Sequence, residues 1–236
     1  MNNILNSLDF PTAFEQLTPK LLEGFQVAIL ATICGFLLAL ILGTLIALGR
    51  LSKFKILRGF LIVFIEIIRG TPLLVQLVYM YYVVPLLVML IIQMWDPNYK
   101  FVITPFVAGT IGLGINYGSY LSEVIRSSIV SIDKGQKEAA LALGYTEKRA
   151  LWEIVMPQAA KNSIPVFGNY LVMMIKDTSL LAFITVSELL LISQTYASST
   201  FLTIESYTIL ALAYLLISVP LSQLMNLVDR RLQRNG

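Results

Sequence analysis

Residues 131–157 read SIDKGQKEAALALGYTEKRALWEIVMP, and their character governs how the rest of the chain is understood. Asp133, Lys134, Lys137, Glu138, Glu147, Lys148, Arg149 and Glu153 all fall within this stretch, although only 13% of the 236 residues are charged and 57% are hydrophobic. The mean hydropathy is +0.77. A soluble domain is about half apolar and a quarter charged. The composition is therefore that of an integral membrane protein, its long apolar runs make an all-α fold the expectation, and 131–157 is a charged island within it.

The island reads as two short helices. Asp133 with Gln136 three residues later resembles a capping box. Lys137–Leu143 follows with strong helix formers. Gly144 supplies the backbone freedom that ends a helix. Thr146 can cap a second helix from Glu147 to about Val155, and Pro157 is expected to turn the chain towards the next apolar segment. Such a pair can be pushed as one piece by a partner. Ala139 and Ala140 permit close approach, and Glu138 offers a carboxylate to a partner's cation. The plainer alternative is an amphipathic loop held only by lipid headgroups.

Working outward, a helix needs about 20 apolar residues to cross a bilayer. Val27–Leu48, Phe101–Ser122 and Ser206–Val228 meet this without a charge. Two more segments are apolar but interrupted. The run from Phe60 to Trp95 contains Glu66, Arg69 and Pro72, and the run from Asn162 to Ile204 contains Lys176, Asp177 and Glu188. This gives about five spans in a single domain, 1–236, with no internal repeat. Residues 1–24 contain Pro11 and Pro19 and are expected to form an external segment, with a short interfacial helix before the first span. The N-terminus lacks the basic start of a signal peptide.

Basic residues orient the spans. Arg50, Lys53, Lys55, Arg58, Arg126, Lys134, Lys137, Lys148, Arg149, Lys161, Arg230, Arg231 and Arg234 fall on one side and make up most of the 17 lysines and arginines. The opposite side holds Lys20 and Lys100. The expected topology has the N-terminus outside, and the 131–157 loop and the C-terminus in the cytoplasm.

Several chemistries have no residues to carry them. Histidine is absent and Cys34 is the only cysteine. No intrachain disulfide, His/Cys metal site or histidine base is available. No Gly-x4-Gly-Lys-Ser/Thr phosphate loop occurs, so ATP would be bound by another chain. No catalytic residue and no nucleic-acid partner are expected.

Ionisable groups within a span are costly and usually face a cavity or a partner. Glu66 and Arg69 share a helix face, and Gly70-Thr71-Pro72 then disturbs the helix. Lys176-Asp177-Thr178-Ser179 and Glu188 repeat this logic. Phe101–Ser122 carries Gly109, Gly112, Gly114 and Gly118, suited to close helix packing, with Asn116 and Tyr117 as hydrogen-bonding groups at depth. Glu123 and Arg126 are again three apart, suited to a structural pair near the loop.

Glu138-Ala139-Ala140, Gly144, Ile154 and Pro157 together resemble the EAA loop of permease subunits of ABC-type importers. IRGTPLLVQL, NYGSYLSEVIRSSI and KDTSLLAFITVSELL resemble the polar-amino-acid branch of that family, over about Leu21 to Arg231. That branch takes up histidine, arginine, glutamine, glutamate or cystine. The resemblance implies a type I importer fold in a bacterial plasma (inner) membrane. It also implies a second permease subunit, identical or related, two cytoplasmic ABC ATPase subunits that use ATP and magnesium, and an external solute-binding protein. Glu138, Ala139, Ala140, Gly144, Ile154 and Pro157 would then couple to the ATPase. An amino-acid zwitterion needs donors for its carboxylate and acceptors for its amine. Arg69 with the amides near Gly70 and Thr71 suits the first, and Glu66, Asp177 or Glu188 the second. Asn116, Tyr117, Thr178 and Ser179 complete the candidate set. The rival for Glu66–Arg69 and Lys176–Asp177 is a structural pairing.

A passive channel or secondary transporter for a polar solute is the alternative function. A channel has no use for a capped, glycine-broken cytoplasmic helix pair. An intramembrane enzyme is disfavoured by the missing histidine and the lack of a catalytic motif.

Overall fold

A computed structural model describes residues 8–234. Residues 1–7 of the expected external segment, and the side chain of Arg234, lie outside the described residues. The elements in chain order are α1 (Phe10–Arg50), α2 (Lys55–Arg69), α3 (Leu73–Ile92), α4 (Pro105–Ser131), α5 (Lys134–Ala142), α6 (Glu147–Ile184), α7 (Leu189–Thr200) and α8 (Thr203–Arg234). Among the described residues all regular structure is helical. In a bilayer a helix satisfies its backbone polar groups internally, so an apolar chain of this kind folds into helices.

Four of these helices, α1, α3, α6 and α8, are long and apolar enough to cross a membrane by length and composition. Helix α4 is also long, at 27 residues, but is diluted by its glycines and by Asn116, Ser119 and Ser122, which are buried.

The chain clusters into two compact units. One gathers the chain up to Gly35, Pro72–Leu113 and Val172–Leu221; the other gathers Phe36–Thr71, Gly114–Leu171 and the chain from Ser222 onward. In the first unit, Ala13, Leu17 and Leu21 of α1 bury against Leu189 and Tyr196 of α7 and Ile209 and Leu210 of α8. This packing corrects the expectation of a separate interfacial helix. Helix α1 runs unbroken through Pro19 for 41 residues. Its start is tied down twice, since Asp9 N–H donates to the buried Glu205 Oε1 at 2.8 Å and Asp9 Oδ1 accepts from Thr12 N–H at 3.1 Å. Hydrogen bonds from Thr12 hold the Asp9 carboxyl below its usual range.

In the second unit, Ala47 of α1, Ile125 and Ile129 of α4, and Val155 and Ala159 of α6 form the core. Helices α1 and α4 approach closely here. A Cβ on Gly114 would lie 2.6 Å from Leu38 Cδ2, and one on Gly118 3.1 Å from Leu42 Cβ. No larger residue fits at such a crossing without displacing a neighbour.

Pro72 produces the expected interruption. Helix α2 ends at Arg69, Gly70 N–H donates to Glu66 O, and α3 starts at Leu73. The second interruption differs from expectation. Helix α6 passes through Lys176-Asp177, tightens to a 3₁₀ turn over Thr178–Ile184, and stops at Thr185, whose φ is 63°. Pro157 is also no stop. A π turn over Leu151–Val155, closed by Met156 N–H to Leu151 O, comes directly before it. An identical device, Tyr79–Val83 closed by Val84 N–H to Tyr79 O, precedes Pro85 in α3. Proline cannot donate to the carbonyl four residues back and its ring crowds that carbonyl. In both cases that carbonyl, Glu153 or Tyr81, sits at the centre of the widened turn.

Candidate functional site

The 131–157 loop is built from local chemistry. Asp133 Oδ1 accepts from Gly135 N–H at 2.6 Å and caps α5. Helix α5 therefore starts at Lys134, directly after its cap. At its end Gly144 takes φ +88°, Tyr145 N–H donates to Ala140 O at 3.0 Å, and Gly144 N–H donates to Leu141 O at 3.0 Å. These two bonds form a Schellman closure, which favours glycine at the left-handed position. Thr146 Oγ1 then accepts from Arg149 N–H at 3.3 Å and opens α6. Lys137 and Glu147 lie 3.8 Å apart across the junction. Arg149 bonds Glu153 at 2.8 Å and lies 4.6 Å from the Tyr145 ring centroid, so Glu153 raises its already high pKa further.

The loop has two sides. Ala140, Ala150 and Val155 are buried, and Val155 joins the core with Ala47, Ile125 and Ile129. Glu138, Ala139, Leu143, Gly144 and Pro157 are exposed, while Ile154 is half-buried within the π turn. The apolar side chains of Leu143 (81% exposed) and Trp152 (48%) stand open on this otherwise charged surface. Glu123, just above on α4, accepts from both Arg126 and Arg50. The expected Glu123–Arg126 pair is present, and Arg50, from 73 positions earlier, completes it.

The candidate solute residues fall in both units. In the second, Glu66, Arg69, Gly70 and Thr71 are exposed, and Asn116 and Tyr117 are buried. Glu66 is in none of the ion pairs among the described residues. The Arg69 guanidinium lies over the Tyr120 ring, 5.2 Å from its centroid. Tyr170 packs edge-on to Tyr117 at 6.2 Å and tilted against Tyr120 at 6.0 Å. A guanidinium held over a phenol ring can receive a carboxylate without a second cation. Sequence reasoning missed Tyr120 and Tyr170. The spacing of Tyr117 and Tyr120, one helical turn apart, was the available signal.

In the first unit, Asp177 and Ser179 are half-buried, and Thr178 is buried with its hydroxyl donating to Ile175 O at 2.7 Å. Glu188 is fully buried. Its carboxylate caps α7, accepting from Leu190 N–H and Leu191 N–H at 2.9 Å each, and from the Tyr214 hydroxyl at 2.8 Å. Its acceptor capacity is directed at its own fold.

Long apolar helices, one capped charged loop and buried polar groups are the features of a polytopic membrane protein. Residues 11–234 match the family of binding-protein-dependent transport system inner membrane components. The chain is 34% identical over 218 residues to the probable amino-acid ABC transporter permease protein y4tG of Sinorhizobium fredii, covering 92% of this chain and 89% of that relative. It is 36% identical over 217 residues to the L-cystine transport system permease protein TcyB of Bacillus subtilis, covering 92% and 88%. The crystal structure of an amino acid ABC transporter with histidines superposes with a TM-score of 0.82 at 32% identity, covering 95% of this chain and 99% of that one. The chain belongs to the binding-protein-dependent transport permeases. It is a transport subunit of an ABC importer, and ATP hydrolysis resides in a separate subunit.

Proposed function

We propose that this chain carries a polar amino acid through a bacterial inner membrane by alternating access. The reading has five spans, with α4 as the third, an external N-terminus and a cytoplasmic loop and C-terminus. The permease works as one of a pair, identical or related, with two ABC ATPase subunits below and a solute-binding protein outside. The names of the amino-acid and cystine permeases to which the chain is similar support the solute class.

The observation that carries the reading is the two-sided loop. Glu138, Ala139, Ala140, Gly144, Ile154 and Pro157 form the ATPase-coupling element. Its inner side, through Val155, is packed on Ile125 and Ile129 of α4 and Ala47 of α1. A displacement of the exposed side is thus transmitted to two long helices rather than absorbed by a loose loop.

For the solute, Arg69 takes the carboxylate with help from the amides near Gly70 and Thr71. Glu66, Asn116 and Tyr117 of the same unit supply further polar contacts. Glu188 is withdrawn from this set to a structural role, because its oxygens are occupied by α7 and Tyr214.

The test is ATP-driven uptake by the reconstituted complex, competed with a panel of unlabelled amino acids. Glu138→Arg is expected to abolish uptake while membrane insertion persists. Full uptake by that variant overturns the coupling reading, and uptake without ATP would indicate a channel.

A further inference from the structure

The turn from α1 into α2 combines two unsatisfied properties. Every residue from Lys53 to Phe60 is exposed. Ile56 is 90% exposed, Phe54 76% and Phe60 68%. A Cβ on Gly59 would meet nothing within 4 Å. The first turn of α2 therefore has little protein against it, apart from Gly49 beside Leu57. The same segment is also unneutralised. Lys53, Lys55 and Arg58 join none of the ion pairs among the described residues, whereas Arg50, Arg126, Lys137 and Arg149 each meet a carboxylate. No acidic residue occurs between Arg50 and Glu66.

Water satisfies the cations but not the phenyl and butyl side chains. Hydrocarbon does the reverse. We propose that residues 53–60 are a binding site for anionic phospholipid, with Lys53, Lys55 and Arg58 on the headgroup phosphates and Phe54, Ile56 and Phe60 in the acyl boundary. The interfacial zone of an acidic bilayer supplies both environments within the length of a side chain. Lysine and arginine stems reach up to the phosphates while their methylenes stay with the apolar neighbours.

The apolar surface also leads into the bilayer. Ile56, Phe60, Val63 and Ile67 recur at helical spacing, and all four are exposed. They make one stripe from the cationic turn along α2. An acidic groove on a protein partner would match the cations but leave the rest of that stripe uncovered. A second copy of this chain would bring like charges together around a two-fold axis, with no carboxylate in the segment to offset them. The proposal rests on the membrane-embedded character of the chain and is independent of the solute.

The test uses the complete transporter, permease with its ATPase, in nanodiscs of phosphatidylcholine with or without phosphatidylglycerol. Native mass spectrometry counts the phosphatidylglycerol retained. The triple variant Lys53→Gln, Lys55→Gln, Arg58→Gln is expected to lower the preference for phosphatidylglycerol about tenfold, and added salt should do the same to the unmodified protein. Phe54→Ser with Ile56→Ser should reduce retention of both lipids alike. A control variant, Lys134→Gln with Lys148→Gln, should leave the preference unchanged. An unchanged preference in the triple variant, or an equal fall in the control, overturns the proposal. So does loss of the ATPase or of permease pairing with lipid retention intact, which would assign the surface to that partner. Carbonate-resistant insertion of every variant separates these results from a failure of the membrane reading itself.

Discussion

The Tyr214 hydroxyl reaches Glu188 Oε2 at 2.8 Å and ties α8 to the N-terminus of α7. The same oxygen accepts from Leu190 N–H, and Oε1 accepts from Leu191 N–H. One buried carboxylate thus serves as helix cap and as interhelical fastener.

Glu188→Ala removes both functions and leaves buried donors without acceptors. The expected cost is about 2 kcal/mol, against about 1 kcal/mol for Tyr214→Phe. Glu188→Gln keeps acceptor oxygen and should fall between them. Thermal unfolding in detergent checks the order. Equal melting temperatures for Glu188→Ala and the unmodified chain would contradict the capping role.

Arg69 and Tyr120 make a cation–π contact at 5.2 Å. Tyr120→Phe keeps the ring and should retain uptake. Tyr120→Leu loses about 1 kcal/mol of positioning and should reduce uptake several-fold. Arg69→Ala should reduce it further while the complex still assembles. If Arg69→Ala instead prevents assembly, on size-exclusion chromatography, the arginine is structural.

Gly114 sits against Leu38, with 2.6 Å from a built Cβ to Leu38 Cδ2. Gly114→Val should destabilise by about 1–3 kcal/mol through overpacking. Adding Leu38→Ala should recover part of that loss. The double variant melting no higher than Gly114→Val alone would show that these two residues do not limit the approach of α1 to α4.

Gly144 holds φ +88° with open space around the position of a Cβ. Gly144→Ala therefore costs backbone strain of about 1 kcal/mol without a clash, and Gly144→Asn costs less. The fold should survive both. Uptake per ATP hydrolysed should drop for Gly144→Ala and largely recover for Gly144→Asn. Full coupling in the alanine variant would detach the loop closure from transmission.

What could be read from sequence was what chain neighbours decide. Asp133, Gly144 and Thr146 act on groups within five residues, and their capping and closing roles were legible in advance. So was the break at Pro72. Long-range choices were not legible. Pro11 and Pro19 suggested a short helix separate from the first span, yet α1 runs on from Phe10 with Leu17 and Leu21 buried against Leu189, Tyr196 and Ile209. Glu66 and Arg69 have pairing distance in sequence, but the arginine prefers a ring from another helix. Glu188 looked like a solute acceptor until α7 and α8 were seen to occupy it. Ionisable residues in an apolar span announce themselves in sequence. Whether they face a solute or a neighbouring helix depends on packing that no local pattern records.

The π turns before Pro85 and Pro157 also set angular phase. An extra residue in a turn rotates everything beyond it by about 100° relative to an unbroken helix. The faces that α6 presents after Val155 are thus offset from those at Glu147–Ala150 by an amount written into five residues. Deleting one residue from Leu151–Val155 would leave composition, caps and span length nearly intact. It would nevertheless turn the downstream faces of α6 away from the azimuth at which Val155 and Ala159 now meet α1 and α4. In this chain the timing of the helical screw is a heritable trait distinct from the identity of any side chain it carries.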